Sequence, residues 1–236
     1  MVRHGQSAGN VAREEAEAAG LHDIAIDARD VDLPLSPLGE RQSIAVGRWF
    51  AALPQAHRPT LLLCSPYVRA LRTAELMLPD LERCIDERLR EKEPGALERL
   101  THAGIVAKFP HEAEQYARLG KFYYRSPGGE SWCDVILRLR SVVDDLRLAH
   151  CGERVLIVAH QVIVLCFRYL LERLTEAEIL AIDRKKEVAN CSVTAYELGH
   201  DARGRESLQL ERYDFVAPVE ASGEPVTHAP DASGVR

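Results

Sequence analysis

The sequence has no apolar run long enough to cross a bilayer. Its longest such stretch, Val155 to Phe167, is broken by His160 and Gln161 and lies between Arg154 and Arg168, whereas a spanning helix needs about 20 apolar residues in succession. There is no basic-then-apolar leader with a small-residue cleavage site, since Met1 is followed at once by Val2-Arg3-His4; a cytoplasmic location and no membrane partner are therefore expected. The cysteines, Cys64, Cys84, Cys133, Cys151, Cys166 and Cys191, contain no CxxC pair and read as reduced thiols rather than disulfides. No His, Cys or Asp cluster has metal-ligand spacing, and nothing repeats at solenoid periods. Long blocks of like charge are missing too. With 36 acidic against 30 basic side chains, the net charge of −6 disfavours a general nucleic-acid binder. If the chain binds an anion, positive charge has to be concentrated locally.

What is present reads as one globular core. The 236 residues, 46% hydrophobic and 28% charged, fit one domain and lie far from the composition of unfolded chains. Short apolar runs at Leu61–Cys64, Val155–Ala159 and Val193–Leu198 predict buried strands. Between them Trp132, Val135, Ile136, Leu139, Val142, Val143 and Leu146 share one helical face, with Ser131 and Asp134 as a start signal. Residues Leu38–Leu53 and Arg69–Leu78 also predict helices. Strands alternating with helices imply a three-layer α/β/α fold around a mostly parallel sheet. Only Met1 and Val2 precede Arg3, so the first strand is expected to be a stub, or the chain to start late. From Val216 to Arg236 the composition turns to Pro, Gly, Ala, Ser and Glu, which predicts a disordered tail after a domain over 1–215.

Arg3-His4-Gly5-Gln6-Ser7, with Asn10 beyond, joins cationic side chains to a glycine that permits close backbone approach and to a helix start, which together make an anion cradle. Three further segments carry usable chemistry. Ser65-Pro66-Tyr67-Val68-Arg69-Ala70-Leu71-Arg72-Thr73-Ala74 follows a buried strand and opens a helix, where open α/β sheets place ligand groups; Arg72 there reads as a solvated charge. Leu89-Arg90-Glu91-Lys92-Glu93-Pro94-Gly95 sets acids in a loop, and His160-Gln161 ends another strand. In this order and spacing the four pieces resemble the histidine phosphatase superfamily, also called phosphoglycerate mutase-like, over about Val2 to Leu198. The middle region, Lys121 and Tyr124-Arg125-Ser126-Pro127-Gly128-Gly129-Glu130-Ser131, is most similar to fructose-2,6-bisphosphatase. Leu165 and Trp132 stand where that group uses a substrate arginine and tyrosine, so a different sugar or metabolite phosphate is expected.

The resemblance implies a phosphomonoester hydrolase for small phosphorylated metabolites. His4, neutral at its attacking nitrogen, would take the phosphoryl group. Arg3, Arg69 and protonated His160 would hold the equatorial oxygens, and arginine suits this because its fork binds two oxygens at once. Glu91 is the expected proton donor to the leaving group, with Glu87 and Glu93 as competitors; beside a phosphate dianion a glutamate keeps its proton to higher pH. Ser7, Asn10 and Gln161 are expected to add neutral hydrogen bonds, and Lys121 and Arg125 to reach the distal substrate unless they are solvated charges. No metal or cofactor is implied, and the assembly could be a homodimer. A cofactor-dependent phosphoglycerate mutase is the alternative enzyme, and a non-catalytic binding protein on the same fold the alternative of another class.

Overall fold

The computed structural model describes residues 1–201 and 203–230. In chain order the elements are β1 (Val2–Arg3), α1 (Ala8–Ala18), α2 (Pro37–Ala52), β2 (Leu61–Cys64), α3 (Val68–Met77), β3 (Arg83–Ile85), α4 (His102–Lys108), α5 (Pro110–Tyr123), α6 (Trp132–Ala149), β4 (Val155–Ala159), α7 (Gln161–Glu172), α8 (Glu176–Lys185), β5 (Val193–His200), β6 (Glu206–Phe215) and α9 (Ala217–Ala221). One six-stranded sheet runs in the order β3-β2-β4-β1-β5-β6. Strands β3, β2, β4 and β1 are parallel, and β5 is antiparallel to both β1 and β6. Strand β1 is a two-residue stub, pinned because Val2 pairs with Val158 on one side and Val193 on the other.

The two-residue side-chain period of a strand divides the core. In β4, Leu156 and Val158 join Leu62, Cys64, Val46, Phe50 and Met77 under α2 and α3. Ile157 and Ala159 join Leu63, Val135, Leu139, Ile163 and Phe167 under α6 and α7. Burial on both faces is why these strands read as unbroken apolar runs. Helix α6 begins where the sequence places it: Ser131 and Asp134 form a reciprocal capping box, and Leu137, off the apolar stripe, is 66% exposed. Leu165 and Trp132 are each 1% exposed within the core. All six cysteines are free thiols, and among the described residues no helix is long and apolar enough to cross a membrane.

The expected tail is corrected by the structure over 216–230. Helix α9 buries Pro218 and Val219, with Val219 packed in the α2–α3 side of the core. Beyond it the main chain is held by side-chain and backbone donors: Gln42 Nε2 donates to the Pro225 carbonyl at 2.8 Å and Asn190 N to that of Thr227 at 2.9 Å. The segment lacks an apolar period because its anchorage is largely through main-chain polar groups, which leave no hydropathy pattern. The remaining tail, 231–236, lies outside the described residues.

Candidate active site

The predicted chemistry gathers at the carboxyl ends of three adjacent parallel strands, the position from which open α/β sheets present ligand groups. Ladder bonds fix the three ends together: His4 N donates to Ala159 O at 2.9 Å and Ser65 N to Val158 O at 3.0 Å. Strand β1 thus ends in Arg3-His4, β4 in His160, and β2 in the turn that leads to Arg69 on the first turn of α3. Arg3, His4 and His160 are each 0% exposed and Arg69 1%.

His4 has its tautomer set by its partners. Nδ1 lies 2.7 Å from the Gly5 carbonyl, which only accepts, so that nitrogen carries the proton. Nε2 receives the Arg69 Nε–H at 3.2 Å, and since a guanidinium only donates, Nε2 holds a lone pair. This is a neutral imidazole with its nucleophilic nitrogen facing a cation. The His4 and His160 rings meet edge to face at 5.1 Å, and Tyr67 stacks similarly on His160 at 5.0 Å. His160 Nε2 is 2.8 Å from Ser65 Oγ.

The arginines are oriented from several sides. Arg69 donates Nη1 to the Asp30 carbonyl at 2.6 Å and Nη2 to the Asp30 carboxylate at 3.1 Å, while its guanidinium lies 4.8 Å from the Tyr67 ring centre. Burial pushes the Tyr67 hydroxyl far up, helped by the charges of Asp30, Glu93 and Glu91 against the opposing Arg69. Tyr67 is therefore neutral where it packs against His160 and Arg69. Arg3 donates to the carbonyls of Val188 and Ala229. Asn10 and Ser7 form the α1 capping box, and Asn10 Nδ2 reaches the Ala229 and Pro230 carbonyls at 3.2 Å each.

Glycines permit this closeness. A Cβ on Gly5 would sit 2.4 Å from Gly39 O, and one on Gly39 2.0 Å from Gln6 O; both obstacles are backbone. Gly5 N donates to Thr73 Oγ1 at 3.0 Å, one turn along α3 from Arg69 on the same helix face. Gly95 has φ +55 and its absent Cβ would lie 2.5 Å from Gly129 N, so the loop carrying Glu91 closes only on glycine.

Glu91 is 1% exposed, and its Oε1 accepts from Lys92 N at 2.6 Å. Its loop is fixed by a polar hub. Glu130 accepts from Arg90 at 2.7 Å, Arg138 at 2.9 and 3.0 Å and Glu93 N at 3.1 Å, and Arg138 in turn donates to the carbonyls of Arg88 and Glu91. Lys92 sits beside this hub. Burial lowers its pKa against the charges of Glu91 and Glu130.

Other expected contacts fall elsewhere. Gln161 opens α7 and donates to Glu187. Lys121 pairs with Asp183 at 2.6 Å and lies over the Trp132 ring, and Arg125 donates to Gly129 O at 2.9 Å with its side chain 65% exposed. Sequence reasoning missed Asp30, Tyr67, Asn190, whose Nδ2 donates to His4 O at 3.1 Å, and the Glu130–Arg138 hub. Of these, Glu130 lies in the quoted Gly-Glu-Ser run and Tyr67 in the quoted Ser65–Ala74 segment, while Asp30, Asn190 and Arg138 carried no sequence signal.

Residues 1–210 match the histidine phosphatase superfamily (branch 1). The chain belongs to that superfamily. A curated member, the 2,3-bisphosphoglycerate-dependent phosphoglycerate mutase 2 of Gloeobacter violaceus, is 29% identical over 92% of this chain and 93% of its own. The 6-phosphofructo-2-kinase/fructose-2,6-bisphosphatase of Caenorhabditis elegans is 32% identical over 70% of this chain. Only 32% of that longer relative is matched, so the chain spans about a third of it. Among solved superfamily structures, a mycobacterial glucosyl-3-phosphoglycerate phosphatase in complex with inorganic phosphate superposes with a TM-score of 0.70 at 26% identity, covering 93% of this chain and 97% of that one.

Proposed function

We propose that the chain is a phosphomonoester hydrolase that works through a phosphohistidine on small phosphorylated metabolites. The observation that carries this reading is the His4 tautomer: a buried neutral imidazole whose Nε2 lone pair faces the Arg69 guanidinium. A phosphomonoester dianion repels an anionic nucleophile, and neutral nitrogen avoids that repulsion. In the first step a bond forms from His4 Nε2 to phosphorus while the ester P–O bond breaks, and Glu91 gives its proton to the departing alkoxide. In the second, the Glu91 carboxylate takes a proton from water as the water oxygen attacks phosphorus and the N–P bond breaks. Arg3, Arg69 and protonated His160 hold the three equatorial oxygens, with Asn10 and Ser7 adding neutral donors and Gln161 flanking at the head of α7. Lys121 and Arg125 are left to second-rank roles at most, given their partners.

The match to a mycobacterial phosphatase over nearly the full length of both chains supports hydrolysis. Fructose 2,6-bisphosphate is disfavoured, because Leu165 and Trp132 are buried core side chains and present neither a guanidinium nor a phenolic hydroxyl to a second phosphate. The test is brief exposure to a labelled phosphomonoester, then a quench in base, with a panel of phosphomonoesters assayed in parallel. Acid-labile, base-stable label on His4 and release of inorganic phosphate are expected. An active enzyme without label on His4 overturns the covalent route; isomerisation of 3-phosphoglycerate in place of hydrolysis replaces the reading with the mutase; no turnover of any ester leaves a binding protein.

A further inference from the structure

His160 is met by a hydroxyl from the end of the neighbouring strand. Strands β2 and β4 pair in parallel up to Cys64 and Val158, and Ser65 N donates to Val158 O at 3.0 Å, so the residues that leave the two strands stand close together. Ser65 Oγ lies 2.8 Å from His160 Nε2. Both residues are 0% exposed, which keeps water from taking the hydroxyl's place. Pro66 carries no N–H, and the next amide, that of Tyr67, folds back to donate to Ser65 Oγ at 3.3 Å, while the Tyr67 ring meets the imidazole edge to face. One short turn thus fixes both the hydroxyl and the plane of the ring it serves. A hydroxyl has one proton and two lone pairs. With one lone pair on the Tyr67 amide, Ser65 keeps a lone pair and a proton for His160. It accepts from Nε2–H when the ring is an imidazolium and donates to Nε2 when the ring is neutral, with no movement of a heavy atom. A carboxylate in that place would only accept, and would hold the ring charged even without substrate.

We propose that Ser65 is a positioning residue for catalysis: it holds Nε2 of His160, turns Nδ1–H to the phosphoryl oxygens and supports the imidazolium that forms when a phosphate dianion arrives. This rests on the phosphatase reading above and gives a role in the same site to a side chain that touches no substrate. Hydrogen bonds to an ionised group are about twice as strong as neutral ones, so the hydroxyl favours the charged ring. A methyl in its place leaves a buried N–H without its acceptor, which penalises the imidazolium more than the neutral ring. The charged and titratable groups around His160 are Arg3 and His4 of β1, Tyr67 and, beyond the Tyr67 ring, Arg69, Asp30, Glu91 and Glu93. Ser65→Ala leaves all of these in place.

Nitrogen NMR of labelled histidine rings in saturating inorganic phosphate reads His160 directly, with His160→Gln identifying its signals. The pH at which the ring loses its charge is expected to fall by about one unit in Ser65→Ala, and by less in Ser65→Cys, whose thiol is a weaker partner of similar shape. The alkaline limb of kcat/KM for an activated aryl phosphate, whose departure needs no proton, should move by the same amount. That gives a loss of about tenfold on the alkaline side and little on the acid side. Should Ser65→Ala fail to fold, the shift in Ser65→Cys decides. An unchanged His160 midpoint, or a kcat/KM lowered by one factor at every pH, overturns the inference. The phosphatase reading then stands, because it is judged on hydrolysis by the unaltered protein and on label at its His4. If the unaltered protein hydrolyses no ester and His4 takes no label, both fall together.

Discussion

Replacing Glu130 by glutamine tests whether the loop carrying Glu91 is held by charge or only by shape. The two side chains are isosteric, but Glu130 accepts four hydrogen bonds through its two oxygens. In Glu130→Gln one oxygen becomes an NH2 facing other donors, and the Arg138 guanidinium, 11% exposed against 12% for Glu130, loses its counter-charge. Breaking one side of a buried ion pair destabilises by about 3–5 kcal/mol; because Arg138 keeps its carbonyl acceptors, the lower end, about 3 kcal/mol, is expected. For a chain of this size that corresponds to a fall in Tm of roughly 6–12 °C at pH 7. The gap should depend on pH. Burial alone would raise the Glu130 carboxyl, but the hydrogen bonds and charges of Arg138, with the Glu93 amide and Arg90, outweigh it and hold the group below the usual glutamate range. A carboxyl depressed on folding stabilises the protein above its unfolded pKa of about 4.3 and loses that contribution as pH falls through the folded value. Thermal unfolding of both proteins at pH 7 and near pH 3.5 reads the difference. A gap below 2 °C at pH 7, or one that does not narrow in acid, refutes the reasoning. Turnover of alkyl phosphates should fall as well, since Arg138 is bonded to the Glu91 carbonyl at 3.2 Å.

The other expectations concern the candidate site and the backbone packed against it. Glu91→Gln should slow hydrolysis of alkyl phosphates by about 10²–10⁴, the range of general acid catalysis, and slow activated aryl phosphates much less; equal losses would assign the proton to another group. Asp30→Asn removes the carboxylate that occupies the Arg69 fork at 3.1 Å, so inorganic phosphate should inhibit about two- to tenfold more tightly, a step of up to about 1.4 kcal/mol; weaker inhibition would make Asp30 a support that Arg69 needs. Gly39→Ala drives a methyl to 2.0 Å from the Gln6 carbonyl, backbone against backbone, and should destabilise by about 3 kcal/mol or more. An unchanged urea midpoint would show that α2 shifts freely.

The parts of the site that were legible in the sequence are those whose position follows from local rules. Ser65 and His160 end apolar runs, and a buried parallel strand must deliver the residue after its last ladder bond to the sheet edge; His4, behind a two-residue stub, was legible only from its Arg3-His4-Gly5 setting. Arg69 and Thr73 are four apart on one helix. Ser131 with Asp134 announced α6 through capping chemistry alone. Elements with weak hydropathy were lost for the opposite reason: β6 lies at the sheet edge with Glu206, Gln209, Leu210, Glu211 and Arg212 exposed, and β3 is three exposed residues recognisable only by its pairing with β2.

The residues that complete the site were illegible because each is chosen by a donor elsewhere in the fold. Arg69 can be read from its motif, but the fork needs acceptors in a particular plane, and the chain that supplies them, Asp30, is 39 residues distant. The His4 carbonyl is held from 186 residues away by Asn190, and Asn10 from 219 and 220 residues away by Ala229 and Pro230. A buried polar group must be satisfied, so burying two arginines and two histidines in a chain of net charge −6 dictates that acceptors be brought in. Nothing in hydropathy says from where. The segment 225–230 shows the consequence: its composition is that of a free tail, yet its carbonyls complete the hydrogen bonding of Gln42, Asn10 and Arg3. Sequence patterns locate the groups that must be buried, and the partners those groups require then decide where an unpatterned segment goes.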